Sequence, residues 1–226
     1  MEAIIKFSDW KCDLDRLKSE LKLLEEGDWH EHFSGYDPGW KAIPLISLGG
    51  SVDSNANSQG EGNIHDLASK YKKTFYLKKL PYTNKLINDF SCRKLRTRIM
   101  KMTPGAVIDE HVDTQGWRHG IARMHIPIIT HDEVYFYVDR KRAKMEEGDL
   151  WYLDVTRPHS VKNLSDITRV HLVIDLLINP YVRNFFPKES IKDQAFNYYQ
   201  NNKSFLFETS RKVGFTKALK VIRNKE

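Results

Sequence analysis

His111 and Asp113 stand two residues apart, His159 follows in a later segment, and Arg169 comes after it. Side chains two apart on an extended strand share a face, so His111 and Asp113 can reach one metal ion together while Val112 packs behind. A separate strand must deliver His159. Two imidazoles and one carboxylate cover one face of an octahedral Fe(II) and leave the remaining positions open, which suits an oxygen-activating centre and not a closed structural site. Arg169 lies in Thr168-Arg169-Val170-His171-Leu172-Val173-Ile174-Asp175, a period-2 run that reads as a buried strand. A planar guanidinium there is suited to gripping the far carboxylate of a dicarboxylic co-substrate through two parallel hydrogen bonds.

Other polar residues compete for pocket roles. Arg123 and His125 share a face by the same parity, and a buried pair of this kind needs partners. His171 shares parity with Arg169 and reads as a core histidine satisfied by a hydrogen bond. His30 and His32 form a second His-x-His pair in a turn-rich segment without a third ligand. Trp117, Arg118 and His119 follow the metal pair on a loop, where they either contact a substrate or cover the mouth of the fold. Met100 and Met102 read as packing.

The elements that must position these residues are legible as patterns. Residues 13–26 read as an opening helix, with Leu14, Leu17, Leu21 and Leu24 at helical spacing and Gly27 as its stop. Residues 40–48 read as an early strand. Residues 49–62 are rich in Gly, Ser and Asn and read as a mobile loop, either a connector or a lid that keeps water from a reactive centre. A short helix is expected at 84–90. Strands are expected at 95–102, 107–112, 120–129, 134–138, 142–145, 149–154, 159–163 and 168–178, punctuated by turns at Pro104-Gly105, Asp139-Arg140 and Glu147-Gly148. Eight short strands at hairpin spacing predict a mainly β fold with flanking helices, a double-stranded β-helix of the jelly-roll, cupin-like kind with a pocket between its sheets. From residue 180 the pattern turns helical again, at 188–201 and 204–222. One domain over 1–226 is expected, with a mixed region at 1–92, the β core at 93–179 and a helical extension at 180–226.

The segments Met102-Thr103-Pro104-Gly105, Arg123-Met124-His125-Ile126-Pro127-Ile128, Glu147-Gly148-Asp149-Leu150-Trp151, Pro158-His159-Ser160-Val161-Lys162-Asn163 and Arg169 to Asp175 occur in an order that resembles the aspartyl/asparaginyl β-hydroxylase family of 2-oxoglutarate- and Fe(II)-dependent oxygenases, whose bacterial relatives include free-proline hydroxylases. The resemblance implies that His111, Asp113 and His159 bind iron, that Arg169 holds the distal carboxylate of 2-oxoglutarate, and that Arg123 and His125 face its other end or the substrate. It implies a dioxygenase that uses Fe(II), 2-oxoglutarate and O2, hydroxylates a small amino-acid-like molecule and releases succinate and CO2. Animal protein-modifying members replace the carboxylate ligand by a small residue; this chain keeps Asp113 and so resembles the bacterial small-molecule hydroxylases more closely. A peptidyl Asp/Asn hydroxylase and a natural-product tailoring oxygenase stay open as alternatives. Outside oxygenases, a cupin-like metal isomerase or hydrolase would keep the ligands without needing Arg169, and a non-catalytic barrel would bind ligand without metal dependence.

Composition narrows the class only coarsely. With 29% charged and 40% hydrophobic residues over 226 positions, the chain has the make-up of a globular protein able to bury a core. No apolar run reaches the roughly 20 residues of a membrane helix, and the N-terminus lacks a secretory layout, so the cytoplasm is the expected compartment. Two cysteines argue against a disulfide framework. The net charge of +6 comes from clusters at Lys72-Lys73, Arg93-Lys94-Leu95-Arg96, Arg140-Lys141-Arg142 and residues 211–225. They lack aromatic interleaving or a recognised nucleic-acid module and read as solvated surface rather than a nucleic-acid site.

Overall fold

The computed structural model describes residues 1–31, 38–53 and 64–187. The expected helices at 188–201 and 204–222, and the greater part of the expected loop at 49–62, lie outside the described residues. In chain order the elements are β1 (Ile4–Lys6), α1 (Leu14–Leu21), β2 (His30–Glu31), β3 (Trp40–Leu48), α2 (Ile64–Ala68), β4 (Tyr71–Lys73), α3 (Pro81–Asn88), β5 (Lys94–Met102), β6 (Val107–His111), β7 (Ile121–Ile129), β8 (Val134–Val138), β9 (Lys141–Arg142), β10 (Trp151–Leu153), β11 (His159–Asn163), β12 (Arg169–Leu177) and α4 (Pro180–Phe185). Residues Glu2–Phe186 form one compact unit.

Two antiparallel sheets build the double-stranded β-helix. The larger runs β1-β10-β7-β12-β5-β3-β2, with β4 beside β3, and the smaller runs β6-β11-β8-β9. Met100 and Met102 of β5 and Val173 of β12 meet Ile108 of β6, Phe136 and Val138 of β8 and Val161 of β11 in one buried cluster between the sheets. The central strands β5, β7 and β12 are buried on both faces, so their polar members at alternate positions are taken out of water together with the apolar ones.

Local chemistry sets the joints. Asp139 and Arg140 both have positive φ, 52° and 62°, which gives the β8–β9 hairpin the left-handed two-residue turn that matches strand twist. This leaves β9 only two residues long where the sequence suggests 142–145. The opening helix also ends early: after Leu21 the chain leaves the α-helical path, and Glu25 N–H donates to Asp28 Oδ2 at 2.9 Å around a 3-10 turn at Glu26–Asp28. Acidic side chains that bond nearby backbone compete with helix continuation in this way. The buried Glu20 carboxylate accepts from Tyr82 N–H at 2.5 Å, Thr83 N–H at 2.8 Å and Thr83 Oγ1–H at 2.7 Å, satisfying the amino end of α3.

Asn163 ties the two sheets at the far end of β11. Fully buried, it donates to the Met102 carbonyl at 3.0 Å and the Ile167 carbonyl at 2.8 Å, and its own carbonyl accepts from Ser165 N–H and Oγ–H. Its strand also carries His159, and the turn it locks leads to Arg169. Asn163→Ala is expected to lower folding stability by about 2–4 kcal/mol, because four bonds are lost and buried partners are left unsatisfied. Urea denaturation measures this, and a loss below about 1 kcal/mol would remove Asn163 from that role.

Candidate active site

The two sheets bring the predicted ligands together through a register irregularity. On β11, His159 pairs with His111 of β6 while Val161 pairs with Ile108, so β6 carries an extra residue between the two pairs. This bulge turns His111 inward opposite His159, and the ring centroids lie 4.2 Å apart. Each ring is fixed by its own backbone: His111 Nδ1 meets the Asp109 carbonyl at 2.8 Å and His159 Nδ1 meets the Arg157 carbonyl at 3.0 Å. A carbonyl can only accept, so Nδ1 carries the proton in both rings and Nε2 is left to ligate. Burial pushes the His159 imidazole down despite the bond to Arg157, with His111 adding to the lowering, so the ring stays neutral as a ligand must.

Asp113 follows the end of β6, its N–H held by the Val155 carbonyl at 2.9 Å. Its Oδ1 lies 3.6 Å from His111 Nε2, and one ligand atom from each of His111, Asp113 and His159 falls within 4.8 Å of the others. This donor set fits a divalent ion that accepts two imidazoles and one carboxylate. Val112, expected to pack behind the pair, is instead 55% exposed, because the strand stops at His111 and the chain turns outward.

Arg123 and Asp175 complete the carboxylate side. Arg123 of β7 stands opposite Asp175 of β12 in register and grips it with two bonds, Nε to Oδ1 at 2.7 Å and Nη2 to Oδ2 at 3.0 Å, while its Nη1 donates to Oδ2 of Asp113. Arg123 thus reaches the carboxylate of the candidate metal set. Burial alone would raise the Asp175 carboxyl; the charge and hydrogen bonds of Arg123, with Arg96 and Arg98 nearby, hold it well below the usual carboxylate range. Burial likewise raises Asp113, and Arg123 and His159 bring it below its ordinary value.

Arg169 is 2% exposed at the start of β12. Its Nη2 donates to His171 Nδ1 at 2.7 Å, and its Nε has no partner among the described residues. Burial pushes this guanidinium down to about 9, the signature of a buried cation that lacks a facing anion. Arg169 and His159 neighbour one aromatic ring: the guanidinium carbon is 5.9 Å from the Phe136 centroid, which is 6.3 Å from that of His159. The fully buried His125 stacks edge-on against Phe136 at 5.7 Å and His171 at 5.9 Å, and both its ring nitrogens are without partners among the described residues. Burial, then Arg169 and Arg123, push its imidazole well down, so it stays neutral. A cation, a neutral imidazole and unsatisfied buried polar atoms around the Phe136 ring fit a polar dianion such as 2-oxoglutarate.

Sequence reasoning missed part of this pocket. Arg96, read as solvated surface, is 5% exposed, and Arg98 is 2% exposed, because both share the inward parity of Met100 and Met102 on β5. Arg96 Nε is 3.5 Å and Arg98 Nη1 is 3.8 Å from Asp175 Oδ2. Arg98 Nε meets only the Met100 sulfur at 3.2 Å, and its Nη1 makes no hydrogen bond among the described residues. The alternation Arg96, Arg98, Met100, Met102 is the signal that could have found them. Tyr71 of β4, also buried, lies within electrostatic reach of Arg96, Asp175, Arg98 and Arg123. Met100 and Met102 pack in the core as expected, and His171 is fully buried, its Nδ1 accepting from Arg169 while its Nε2 has no partner among the described residues. Trp117 packs on Phe186 at 4.6 Å and on Tyr152 at 6.0 Å. His30 meets the Tyr76 hydroxyl at 3.4 Å, and His32 lies outside the described residues. Cys12 and Cys92 are free thiols. Among the described residues no helix is long and apolar enough to cross a membrane.

Comparison with known proteins places this geometry among relatives. A family model described as aspartyl/asparaginyl beta-hydroxylase matches residues 11–178. An L-proline cis-4-hydroxylase of Rhizobium meliloti (strain 1021) is 29% identical over 178 residues, covering 77% of this chain and 61% of that protein. L-proline cis-3-hydroxylase 1 of a Streptomyces species is 26% identical over 183 residues, covering 74% and 57%. The chain therefore spans about three fifths of the length of the curated relatives it matches. A crystal structure of a Pseudomonas putida prolyl-4-hydroxylase aligns over 79% of this chain and 94% of its own at 13% identity and a TM-score of 0.46.

Proposed function

From the premise that the chain belongs to the aspartyl/asparaginyl β-hydroxylase family, we propose that it is a 2-oxoglutarate- and Fe(II)-dependent dioxygenase that hydroxylates a free amino acid or a small amino-acid-like molecule. The observation that carries this reading is the cluster of His111, Asp113 and His159 ligand atoms within 4.8 Å of one another, together with a buried Arg169 that neighbours the same Phe136 ring as His159 and whose Nε has no partner among the described residues. The names of the two proline hydroxylases support a free amino acid as substrate.

When bound, Fe(II) with 2-oxoglutarate supplies the oxygen chemistry: one atom of O2 enters succinate as CO2 leaves, and the other replaces a substrate hydrogen as hydroxyl. The protein's residues do the positioning. His111 and His159 present Nε2 because the Asp109 and Arg157 carbonyls hold the Nδ1 protons. Asp113 presents Oδ1, since Arg123 occupies Oδ2. Arg169, propped by His171, takes the distal carboxylate of 2-oxoglutarate, and His125 meets the co-substrate from the neighbouring strand. Phe136 borders both Arg169 and His159, its ring centroid 5.9 Å from the guanidinium carbon and 6.3 Å from the imidazole centroid.

Arg98 is the residue for a substrate carboxylate. Arg123 is already held by two carboxylates, whereas Arg98 has only a thioether at Nε and no hydrogen-bond partner at Nη1 among the described residues. Burial, with Arg96 and Arg123 close by, pushes its guanidinium well down, and a carboxylate would relieve that cost. Succinate release by the Fe(II)-loaded protein, screened against free amino acids beginning with L-proline, is the test. Acceleration by a free amino acid is expected; acceleration only by peptides would sink this reading. Arg98→Met is expected to lower kcat/KM for such a substrate by roughly 30-fold or more, the loss of about 2 kcal/mol or more that follows truncation of a buried charge pair, while 2-oxoglutarate still binds.

A further inference from the structure

Arg123 spans two buried carboxylates, and only one of them belongs to the metal set. Asp175 is 1% exposed and faces inward from β12 at the parity of Arg169, His171 and Val173. Its two oxygens take two nitrogens of Arg123 at 2.7 and 3.0 Å, in the parallel geometry that fixes a guanidinium plane. With that plane fixed, the remaining terminal nitrogen, Nη1, points at Oδ2 of Asp113. The other oxygen of Asp113, Oδ1, is the one turned toward His111 Nε2, 3.6 Å away.

This division of labour matters for an open metal site. A carboxylate with both oxygens free can bind an ion through two atoms and take up a position that a co-substrate needs. One whose second oxygen already accepts a charged hydrogen bond binds through one atom only. Three protein donor atoms then leave three positions of an octahedral ion free. Arg123 can enforce this only if it is held, and the cations beside it, Arg96 and Arg98, push it away instead of holding it.

We propose that Asp175 is a positioning residue for the metal: by clamping Arg123 it keeps Oδ2 of Asp113 occupied, so that Asp113 offers the ion a single oxygen. The inference rests on the metal-site reading above and deepens it. A purely structural Asp175, present only to neutralise buried arginines, would affect folding stability and leave the metal affinity of the folded protein unchanged. Partners that orient a metal ligand affect affinity by about 10- to 100-fold.

Binding of Co(II), a redox-stable probe with visible absorption, separates these cases in the full chain. Wild-type protein that binds no Co(II) would overturn the metal-site reading itself. Given wild-type binding, Asp175→Asn and Arg123→Met are each expected to weaken it by about 10- to 100-fold. The Asp175→Asn complex should also show altered visible bands, because Asp113 is released to bind through both oxygens. In the Arg123→Met background Asp175→Asn should cause no further loss, since its effect runs through Arg123. An equal further loss in that background, or wild-type affinity and spectrum in folded Asp175→Asn, would overturn the proposal. If Asp175→Asn does not fold, the charge-balanced Arg96→Gln/Asp175→Asn protein decides. It removes one buried cation with the buried anion, and the same weakened binding is expected, whereas wild-type binding would reject the role.

Discussion

An Asp113→Ala protein is expected to lose tight iron binding and with it 2-oxoglutarate turnover. Two effects act in the same direction. The ion would lose the one anionic donor of the candidate set among the described residues, leaving His111 and His159, two neutral donors. Arg123 loses one of its two carboxylates and stands beside the metal position with a charge that Asp175 must share with Arg96 and Arg98. A cation that formerly stabilised the ligand then repels the ion. The expected loss of iron affinity exceeds the roughly 100-fold upper range seen for removing a partner of a ligand, because here the ligand itself goes and its partner turns hostile. Equilibrium dialysis against Fe(II) under anaerobic conditions measures it, with succinate formation as the second readout. Asp113→Ala combined with Arg123→Met should recover part of the affinity. Retention of wild-type iron content and activity by Asp113→Ala alone would sink the ligand assignment.

The elements that carry the ligands were legible because polar residues interrupt period-2 apolar runs. His159 and Arg169 each open such a run, and the strands at 40–48, 134–138 and 159–163 have the bounds expected of them. What the runs do not contain is the register between them. The extra residue of β6 that sets His111 opposite His159 exists only as a mismatch between two strands, so nothing within either strand announces it. The three-residue strands β1 and β4 are held by pairing with β10 and β3 and have too few residues to show a period. Arg96 reads as solvated surface, and Arg98 is not singled out, for a different reason. In a stretch with four basic residues from Arg93 to Arg98, charge suggests solvent, while parity with Met100 and Met102 points inward, and the burial of both arginines follows parity. Asp175 was visible as the end of the Arg169 run, and its role appears only when β7 brings Arg123 against it.

Arg169→Ala is expected to separate co-substrate binding from metal binding. Among the described residues no hydrogen bond joins Arg169 to His111, Asp113 or His159, so Fe(II) affinity should change little. The dissociation constant for 2-oxoglutarate should rise by about 30-fold or more, corresponding to the 2 kcal/mol or more lost when one partner of a buried, hydrogen-bonded charge pair is truncated. Anaerobic titration of the Fe(II)-loaded protein, followed through the weak visible absorption of its complex with 2-oxoglutarate, reads this directly. Arg169→Lys distinguishes charge from shape: an ammonium keeps the attraction and loses the planar fork, so it should fall between wild type and Ala. His171→Ala provides the internal check. It leaves the cation in place and removes the acceptor that sets its orientation, which predicts a smaller rise than Arg169→Ala and none beyond it when the two are combined. An unchanged 2-oxoglutarate requirement in Arg169→Ala would move the distal-carboxylate role elsewhere, with Arg98 the next buried guanidinium able to take it.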